Sequence, residues 1–283
     1  MRFEKWQALG NDYVVVEAER LPWELTPARV RALCAAHTGV GADGVLELAR
    51  ASDPEHVAAL RIFNPDGSEA ELSGNGAREA VLYLRRRGWA GVDGFTISTP
   101  AGPVSVQITG SSTCAMQMGR ARLTSPAYPS GPADGRGTLE AAGRRWDFQH
   151  VSVGNPQCAI AVADVQELRG LDLGLVGPSI QGHELFPQRT NVSWYAEERD
   201  GTVRARIFER GVGETMSSGT GACGVAVAHV RNGARSPMTV RLDGGDLEVE
   251  VGEDLDLALT GWAVCVYRGE LSPELIKELD ETE

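Results

Sequence analysis

Two short turns carry the residues of this sequence best suited to acid/base chemistry on a small anion. Ser73-Gly74-Asn75-Gly76 and Ser218-Gly219-Thr220-Gly221 each place a serine hydroxyl directly before a segment of helical periodicity. The start of a helix presents backbone N–H groups without intrahelical acceptors, together with the positive end of the helix dipole. Because such an end binds a carboxylate or phosphate, each turn is a candidate site for one face of an anion with a hydroxyl beside it.

A repeat along the chain relates these two turns. Serine is also a preferred N-cap residue, so Ser73 and Ser218 have a purely structural interpretation as well. The repeat favours the functional one, because two matched turns can act on one molecule. At an offset of 145 residues the matches are Arg61-Ile62-Phe63 with Arg206-Ile207-Phe208, Glu69 with Glu214, and Ser73 with Ser218, while Gly10-Asn11 matches Gly154-Asn155 at 144. Solenoid repeats have periods of roughly 20–50 residues, so this longer period indicates two similar domains.

The pattern of elements predicts an α+β protein with one central helix in each half. Many short apolar segments read as strands, and the two helical segments are near Asn75–Arg87 and Thr220–Val230. Small side chains nearly all round the second segment predict a helix enclosed by sheet. Regular strand–helix alternation, which marks a doubly wound parallel sheet, is lacking.

Turn and cap residues place the remaining boundaries. Thr26-Pro27 and Ser272-Pro273 predict the starts of two outer helices, and Leu171–Gln181 predicts another. The segment 125–137 is rich in Pro, Gly and Ser and predicts a loop just after the chain crosses between domains. We therefore predict one domain at residues 1–118 plus 267–283 and a second at residues 119–266.

Composition restricts the partners. The 283 residues suit two domains, and 42% hydrophobic with 23% charged residues is typical of a soluble globular protein. A net charge of −12 argues against nucleic acid or an anionic membrane as partner. No apolar run approaches the ~18 residues of a membrane span, and no signal-peptide pattern opens the chain. The five cysteines are scattered without metal-binding spacing, which favours a cytoplasmic protein with reduced thiols.

Seven sequence runs make the chain resemble the cofactor-independent diaminopimelate epimerases over essentially its whole length. The runs are Leu9–Asp12, Gly39–Gly44, Phe63–Glu69, Gly74–Arg78, Gly154–Pro156, Phe186–Asn191 and Glu209–Thr215 with Gly219–Ala222. The resemblance implies two pseudo-symmetric domains, each a mostly antiparallel sheet wrapped around a central helix, with a small amino-acid substrate in the cleft between them. It implies no metal and no organic cofactor, and it leaves a homodimer as a hypothesis.

The resemblance also implies a mechanism. One residue removes the α-proton from one face of the substrate carbon and a second returns a proton to the other face, which interconverts LL- and meso-diaminopimelate. The substrate α-carboxylate is expected between the two helix N-termini, where the donors are the N–H groups of Gly74, Asn75, Gly219 and Thr220. The positions that match the family's contacts to the distal amino and carboxylate groups are Asn11, Asn64, Asn155, Asn191, Glu209 and Arg210, with Arg210 as the carboxylate partner.

The chain departs from the family at the acid/base pair itself. Two cysteines fill these positions in the family, whereas this chain has Ser73 and Ser218, and a family histidine is replaced by Gln157. A thiol has a pKa of about 8.5, whereas a serine hydroxyl is a far weaker acid that needs an adjacent base. None of the histidines falls in these motifs, and Cys223 is expected to face the core.

Three interpretations of the serines stay open on the sequence alone. They are serines introduced into a thiol enzyme, serines that perform slower chemistry or act on another amino acid, and a protein that binds its ligand without turnover. An oxidoreductase is a further alternative, because Gly39–Gly44 and Gly219–Gly224 both fit G-x-G-x-x-G. The first run follows a predicted helix and precedes a strand, the reverse of the required order. An isomerase of the phenazine-biosynthesis type would instead use one carboxylate, for which the candidates are Glu69, Glu71 and Glu214.

Overall fold

A computed structural model describes residues 1–199 and 201–282 of the chain. The described residues form two compact units, Met1–Met116 with Gly261–Glu283, and Gln117–Thr260. The helices are α1 (Pro27–Cys34), α2 (Gly74–Arg86), α3 (Val165–Gly170), α4 (Leu173–Gln181), α5 (Gly219–Arg231) and α6 (Pro273–Asp280). The strands of the first half of the chain are β1 (Arg2–Ala8), β2 (Asn11–Glu17), β3 (Val45–Ala49), β4 (Ala58–Phe63), β5 (Glu69–Ala70), β6 (Phe95–Thr99), β7 (Gly102–Ile108) and β8 (Thr113–Arg120). Those that follow are β9 (Arg136–Ala141), β10 (Arg144–Ser152), β11 (Pro156–Ala161), β12 (Asn191–Arg199), β13 (Thr202–Glu209), β14 (Gly213–Thr215), β15 (Met238–Leu242), β16 (Gly245–Val251), β17 (Asp256–Trp262) and β18 (Val264–Glu270).

The strand pairing of the first unit is mostly antiparallel. β18 pairs with β1 and β1 with β2, both antiparallel, and β2 then lies parallel to β3. β3 is antiparallel to β4. On its other edge, β4 pairs with the short β5 in antiparallel and with β6 in parallel. β6, β7 and β8 continue as an antiparallel meander. The crossover between β4 and β6 contains α2, the element that begins at Ser73.

The second unit repeats this pairing strand for strand. β9, β10 and β11 are successively antiparallel, β11 is parallel to β12, and β12 is antiparallel to β13. β13 pairs with the short β14 in antiparallel and with β15 in parallel, and β15, β16 and β17 form the meander. The predicted α+β class with mostly antiparallel sheets is thus confirmed, and the sequence repeat corresponds to a repeat of topology.

The helix in each β–α–β crossover is buried along nearly its whole length. Every residue of α2 from Asn75 to Leu84 is buried, and so is every residue of α5 from Gly221 to Ala228. The small side chains of α5 allow this enclosure, as the sequence predicted, and Cys223 lies in the core as expected. Because each helix is buried against sheet, its first turn is held in a fixed position.

A second layer of helices covers each sheet. α1 begins after Thr26, whose Oγ1 accepts a hydrogen bond from Arg29 N at 3.3 Å, and α6 begins after Ser272, as predicted. Both helices share one apolar core with β1, β2 and β3. In the second unit α3 and α4 pack on a core that includes Trp146 and Trp194. No helix of the described ranges is long and apolar enough to cross a membrane.

Three elements of the second unit differ from the sequence-based expectation. α3 was not predicted, because six residues are too few to show a helical period. β9 was not predicted either, because only Leu139 and Ala141 of this strand are buried and polar residues separate them. The helix expected from Leu171 begins at Leu173 instead, since Asp172 caps it by accepting a hydrogen bond from Leu175 N.

Candidate active site

Ser73 and Ser218 are the N-caps of α2 and α5. Both have extended backbone dihedrals, and each Oγ accepts a hydrogen bond from the amide three residues on, Gly76 N at 3.1 Å and Gly221 N at 3.2 Å. The structural interpretation of the two serines is therefore confirmed. Capping does not exhaust a hydroxyl, because the oxygen accepts the amide proton while its own proton stays available to donate. Each serine consequently stands at the positive end of a buried helix with a proton to exchange.

A chain of hydrogen-bonded polar side chains lies beside Ser73. Asn11 Nδ2 donates to Asp43 Oδ2 at 2.9 Å, and Asn11 Oδ1 accepts from Asn75 Nδ2 at 3.3 Å. Asn75 Oδ1 in turn accepts a hydrogen bond from Arg78, whose side chain is wholly buried. Two of the predicted site residues, Asn11 and Asn75, are thus brought together at the first turn of α2 and held rigidly.

Tyr13 contacts Ser73 directly, which the sequence did not indicate. Its phenol donates a hydrogen bond to Ser73 Oγ at 3.2 Å. Burial raises the pKa of Tyr13 to about 12, while hydrogen bonds with Ser73 and Asn11 oppose part of the rise. The signal available in the sequence was position, since Tyr13 follows Asn11 by two residues on a strand and so faces the same side of the sheet.

The equivalent positions around α5 form a second cluster. Asn155 Nδ2 donates to Thr220 Oγ1 at 3.2 Å, and Gln157 Nε2 donates to Asn155 Oδ1 at 2.7 Å and to Thr220 Oγ1 at 3.2 Å. Asn155 contacts the second residue of α5 just as Asn11 contacts the second residue of α2. The predicted site residues Asn155 and Thr220 therefore lie together, and Gln157, which replaces the family histidine, fastens them.

Glu209 lies beside Ser218 at the end of β13. Burial raises the pKa of the Glu209 carboxyl above its ordinary value, and a hydrogen bond with the Ser218 side chain opposes part of the rise. An ionised carboxylate has no proton to donate, so in that state the Ser218 hydroxyl is the donor. Ser218 thus has a carboxyl group as a partner. The resemblance had matched Glu209 only to the distal groups of the substrate.

The remaining predicted residues lie at strand ends: Asn191 begins β12, Arg210 follows β13 and Asn64 follows β4. Asn191 Oδ1 accepts a hydrogen bond from Arg210 N at 2.8 Å, and the Arg210 guanidinium donates to Gln188 O at 3.0 Å. Among residues 1–199 and 201–282 no carboxylate forms an ion pair with the exposed Arg210. Asn64 Nδ2 donates to Ser68 Oγ at 2.9 Å within the turn between β4 and β5.

The first of the two G-x-G-x-x-G runs does not form a dinucleotide site. Residues 39–44 connect α1 to β3, so they leave a helix and enter a strand, the reverse of the phosphate-binding order. The described part of the chain also contains no group of three His, Cys, Asp or Glu side chains arranged to hold a metal ion. The polar clusters at α2 and α5 are accordingly the places where the side chains converge on a helix end.

Solved structures with this fold belong to racemases, epimerases and PhzF-type proteins. A PhzF-family phenazine biosynthesis protein of Bacillus anthracis superposes with a TM-score of 0.68 at 18% identity, covering 96% of this chain and 99% of the other. A hydroxyproline epimerase of Agrobacterium vitis gives a TM-score of 0.66 at 18% identity, with coverages of 98% and 94%. The chain therefore has the fold that these proteins share.

Sequence comparison gives the family. The profile of the diaminopimelate epimerase family matches residues 3–124 and 149–269. A diaminopimelate epimerase of a Synechococcus strain is 38% identical over 95% of this chain and 97% of its own length. One from an Azoarcus strain is 37% identical, with coverages of 96% and 98%. The chain belongs to the diaminopimelate epimerase family.

Proposed function

We propose that this chain inverts the α-carbon of diaminopimelate, interconverting its LL and meso forms without a cofactor. The observation that carries the proposal is the duplicated, serine-capped helix N-terminus, which gives each unit one hydroxyl at the start of a buried helix. Family membership supports the substrate, because the relatives that cover nearly the whole chain are diaminopimelate epimerases. Ser73 and Ser218 are the acid/base residues in this proposal, one for each face of the carbon.

The helix ends serve the charge that appears during the reaction. Removing the α-proton leaves electron density that spreads onto the substrate carboxylate. The first-turn amides of Gly74, Asn75, Gly219 and Thr220 lie at positive helix ends, so they stabilise that charge without reorganising. Hydrogen bonds from Asn75 to Asn11 and from Asn155 to Thr220 hold the first turns in place. A small carboxylic acid is therefore the ligand that these turns suit.

Glu209 makes Ser218 usable as a base. Burial raises the pKa of the carboxyl, so its ionised form takes a proton more readily than an exposed glutamate would. As Ser218 Oγ takes the α-proton, its own proton passes to the Glu209 carboxylate, and the substrate keeps the electron pair of the broken C–H bond. General bases of this kind contribute typically 10²–10⁴-fold to a rate. An alcohol is still a poorer acid/base than a thiol, so we expect turnover to be slow.

Arg210, Asn191 and Asn64 bind the distal charged groups of the substrate in this proposal. The Arg210 guanidinium is exposed and bonded to one carbonyl oxygen, so it retains donors for a bidentate carboxylate contact. Asn191 fixes the Arg210 backbone, and Asn64 is fixed in its turn by Ser68. A diamino dicarboxylic acid offers the distal carboxylate and amine that such residues bind, whereas a simple amino acid does not.

The test is α-hydrogen exchange in deuterated water, followed by NMR. The protein is incubated with LL-diaminopimelate, with meso-diaminopimelate and, for comparison, with proline. We expect deuterium at the α-carbon of both diaminopimelate isomers together with interconversion, and none in proline. The Ser73→Ala/Ser218→Ala double variant is the control and should catalyse neither. Exchange of proline alone would refute the substrate, and no exchange of any amino acid would refute the activity.

We also propose that two copies of the chain associate through β18. Val264, Val266 and Tyr267 of this strand are exposed, at 38%, 53% and 42% of their full surface. Neighbouring exposed apolar side chains are typical of an interaction surface, and a second copy is the simplest self-complementary partner. Sedimentation should therefore show a dimer that Val266→Glu dissociates. A monomer at concentrations of tens of micromolar would contradict this assignment.

A further inference from the structure

The side chains of Ser73 and Ser218 have different hydrogen-bond partners, although the repeat relates their turns. Ser218 interacts with the Glu209 carboxyl, whereas Ser73 accepts a hydrogen bond from the Tyr13 phenol at 3.2 Å. The repeat counterpart of Glu209 is Asn64, which bonds to Ser68 and not to Ser73. The counterpart of Tyr13 is Gln157, which bonds to Asn155 and Thr220. The side chains that contact Ser73 therefore differ from those that contact Ser218.

Ser73 Oγ accepts two hydrogen bonds, from Tyr13 Oη at 3.2 Å and from Gly76 N at 3.1 Å. An oxygen that accepts two donors is stabilised more in its ionised form than in its neutral form. Ser218 Oγ also accepts from a backbone amide, Gly221 N at 3.2 Å, but its other partner is the Glu209 carboxyl, which in its ionised form can only accept. Ser218 is thus arranged to lose its proton to a base, and Ser73 is arranged to carry negative charge after it has given its proton away.

We infer that Tyr13 is the positioning residue of Ser73, a phenol donor that stabilises the Ser73 alkoxide during proton transfer at the substrate α-carbon. No atom moves between the two side chains in this role; the hydrogen bond strengthens as Ser73 becomes charged. The inference rests on the proposed epimerase function. It assigns a different proton-transfer arrangement to each face of the substrate α-carbon. Ser73 acts with a hydrogen-bond donor, and Ser218 acts with a carboxylate base.

The surroundings of Tyr13 hold the phenol in place and keep it protonated. Tyr13 is buried, and its ring lies where Gly44 leaves room, because a Cβ at Gly44 would come within 2.6 Å of the ring. Burial and the nearby carboxyls of Glu79 and Asp43 raise its pKa to about 12. The phenol therefore stays protonated through neutral and mildly alkaline pH, so it can donate the hydrogen bond there.

The first test needs no turnover. The thiol introduced by Ser73→Cys is titrated by the pH dependence of its alkylation, read at residue 73 by peptide mass spectrometry. The native Cys34, Cys114, Cys158 and Cys223 are buried and Cys265 is partly exposed, so the peptide readout separates them. Adding Tyr13→Phe removes a donor to the thiolate and should shift the thiol pKa upward by about one pH unit, on the scale of a hydrogen bond to a charged group. Tyr83→Phe is the matched control, since Tyr83 is another buried phenol of the same unit and bonds to Glu17 instead.

The second test uses the reaction. In deuterated water, Tyr13→Phe should slow inversion at least tenfold from either isomer. For the isomer whose α-hydrogen faces Ser218, exchange without inversion should persist, because Ser218 and Glu209 still remove and return that proton. The ratio of exchange to inversion should therefore rise for one isomer only, and Tyr83→Phe should leave it unchanged.

The outcomes separate this inference from the proposed function. An unchanged thiol pKa after Tyr13→Phe overturns the role of Tyr13, as does equal slowing of exchange and inversion for both isomers. Absence of exchange in the wild-type protein, with the thiol pKa shifted as expected, overturns the proposed function and leaves the Tyr13 hydrogen bond established. A shift of the same size with Tyr83→Phe would show a general effect of losing a buried hydroxyl and would also overturn it.

Discussion

Arg61 grips Glu69 through two parallel hydrogen bonds, Nε to Oε1 at 2.9 Å and Nη2 to Oε2 at 3.0 Å. Arg206 and Glu214 repeat this arrangement in the second unit, at 2.8 Å and 3.1 Å. Each pair fastens the short strand before a serine turn, β5 or β14, to the strand beside it. The repeat that relates Ser73 to Ser218 therefore includes the ion pair that holds the chain just ahead of each turn.

We predict that the Arg206–Glu214 pair is the stronger of the two. The Arg206 side chain is 17% exposed and that of Arg61 is 49% exposed, so the second-unit pair is less screened by water. Double-mutant cycles by urea unfolding should give coupling energies of about 0.3 kcal/mol for Arg61–Glu69 and about 1 kcal/mol for Arg206–Glu214. Equal couplings, or the opposite order, would contradict the argument from exposure.

The sequence predicted the fold class and several helix starts, because the repeat relates the two halves and the caps are local signals. Ser73, Ser218, Thr26 and Ser272 were all placed correctly at helix starts, since capping depends on residues three positions apart. The same reasoning fails where one side chain meets another from a distant segment. Tyr13 is 60 residues from the Ser73 it contacts, and periodicity shows which side of a strand a residue faces but not its partner.

The interaction between Glu209 and Ser218 was not predicted for a different reason. Glu209 and Ser218 are near in sequence, but the turn between β13 and β14 decides whether their side chains meet. The repeat did not predict this contact, because the first-unit residue that corresponds to Glu209 is Asn64. A repeat search finds the residues that the two halves share, whereas the proposed role of Glu209 depends on a position at which the halves differ.

Replacing both serines by cysteine should raise turnover. A thiol with a pKa of about 8.5 ionises far more readily than an alcohol, so Ser73→Cys/Ser218→Cys should accelerate epimerisation at least tenfold at about pH 8. Ser272→Cys is a suitable control, because Ser272 caps α6 as these serines cap α2 and α5. It should show any loss of capping without a gain in rate. A double variant no faster than the wild type would mean that Ser73 and Ser218 are not the acid/base residues.

Glu209→Gln should remove the base that serves Ser218. We expect the rate of exchange from the isomer facing Ser218 to fall about 10²–10⁴-fold, the usual contribution of a general base. The wild-type rate should increase with pH through the raised pKa of Glu209, because only the ionised carboxyl accepts a proton. That limb should be missing from the pH profile of the variant. Glu214→Gln on the same hairpin is the control, and a similar loss there would show that the effect is structural.

Glu79→Gln should stabilise the protein, and by more as the pH rises. Glu79 on α2 is wholly buried, and burial raises the pKa of its carboxyl well above the ordinary value, with attraction to Arg78 offsetting only part. The folded protein therefore holds a proton that the unfolded chain releases above about pH 4.3, so stability falls as pH rises from there to the folded pKa. The slope is up to about 1.4 kcal/mol per pH unit for one such group.

The measurement is the difference in unfolding free energy between wild type and Glu79→Gln from pH 4 to pH 8. The difference isolates Glu79 from other buried groups such as His150, whose pKa burial lowers to about 4 and which acts in the opposite sense, adding stability as pH rises from 4 to about 6.5. Because His150 is present in both proteins, its contribution cancels. The two proteins should be nearly equal in stability at pH 4, and the variant should lead increasingly above pH 5. A difference that is constant with pH would show that the Glu79 carboxyl is ionised in the folded protein and that Arg78 compensates its burial in full.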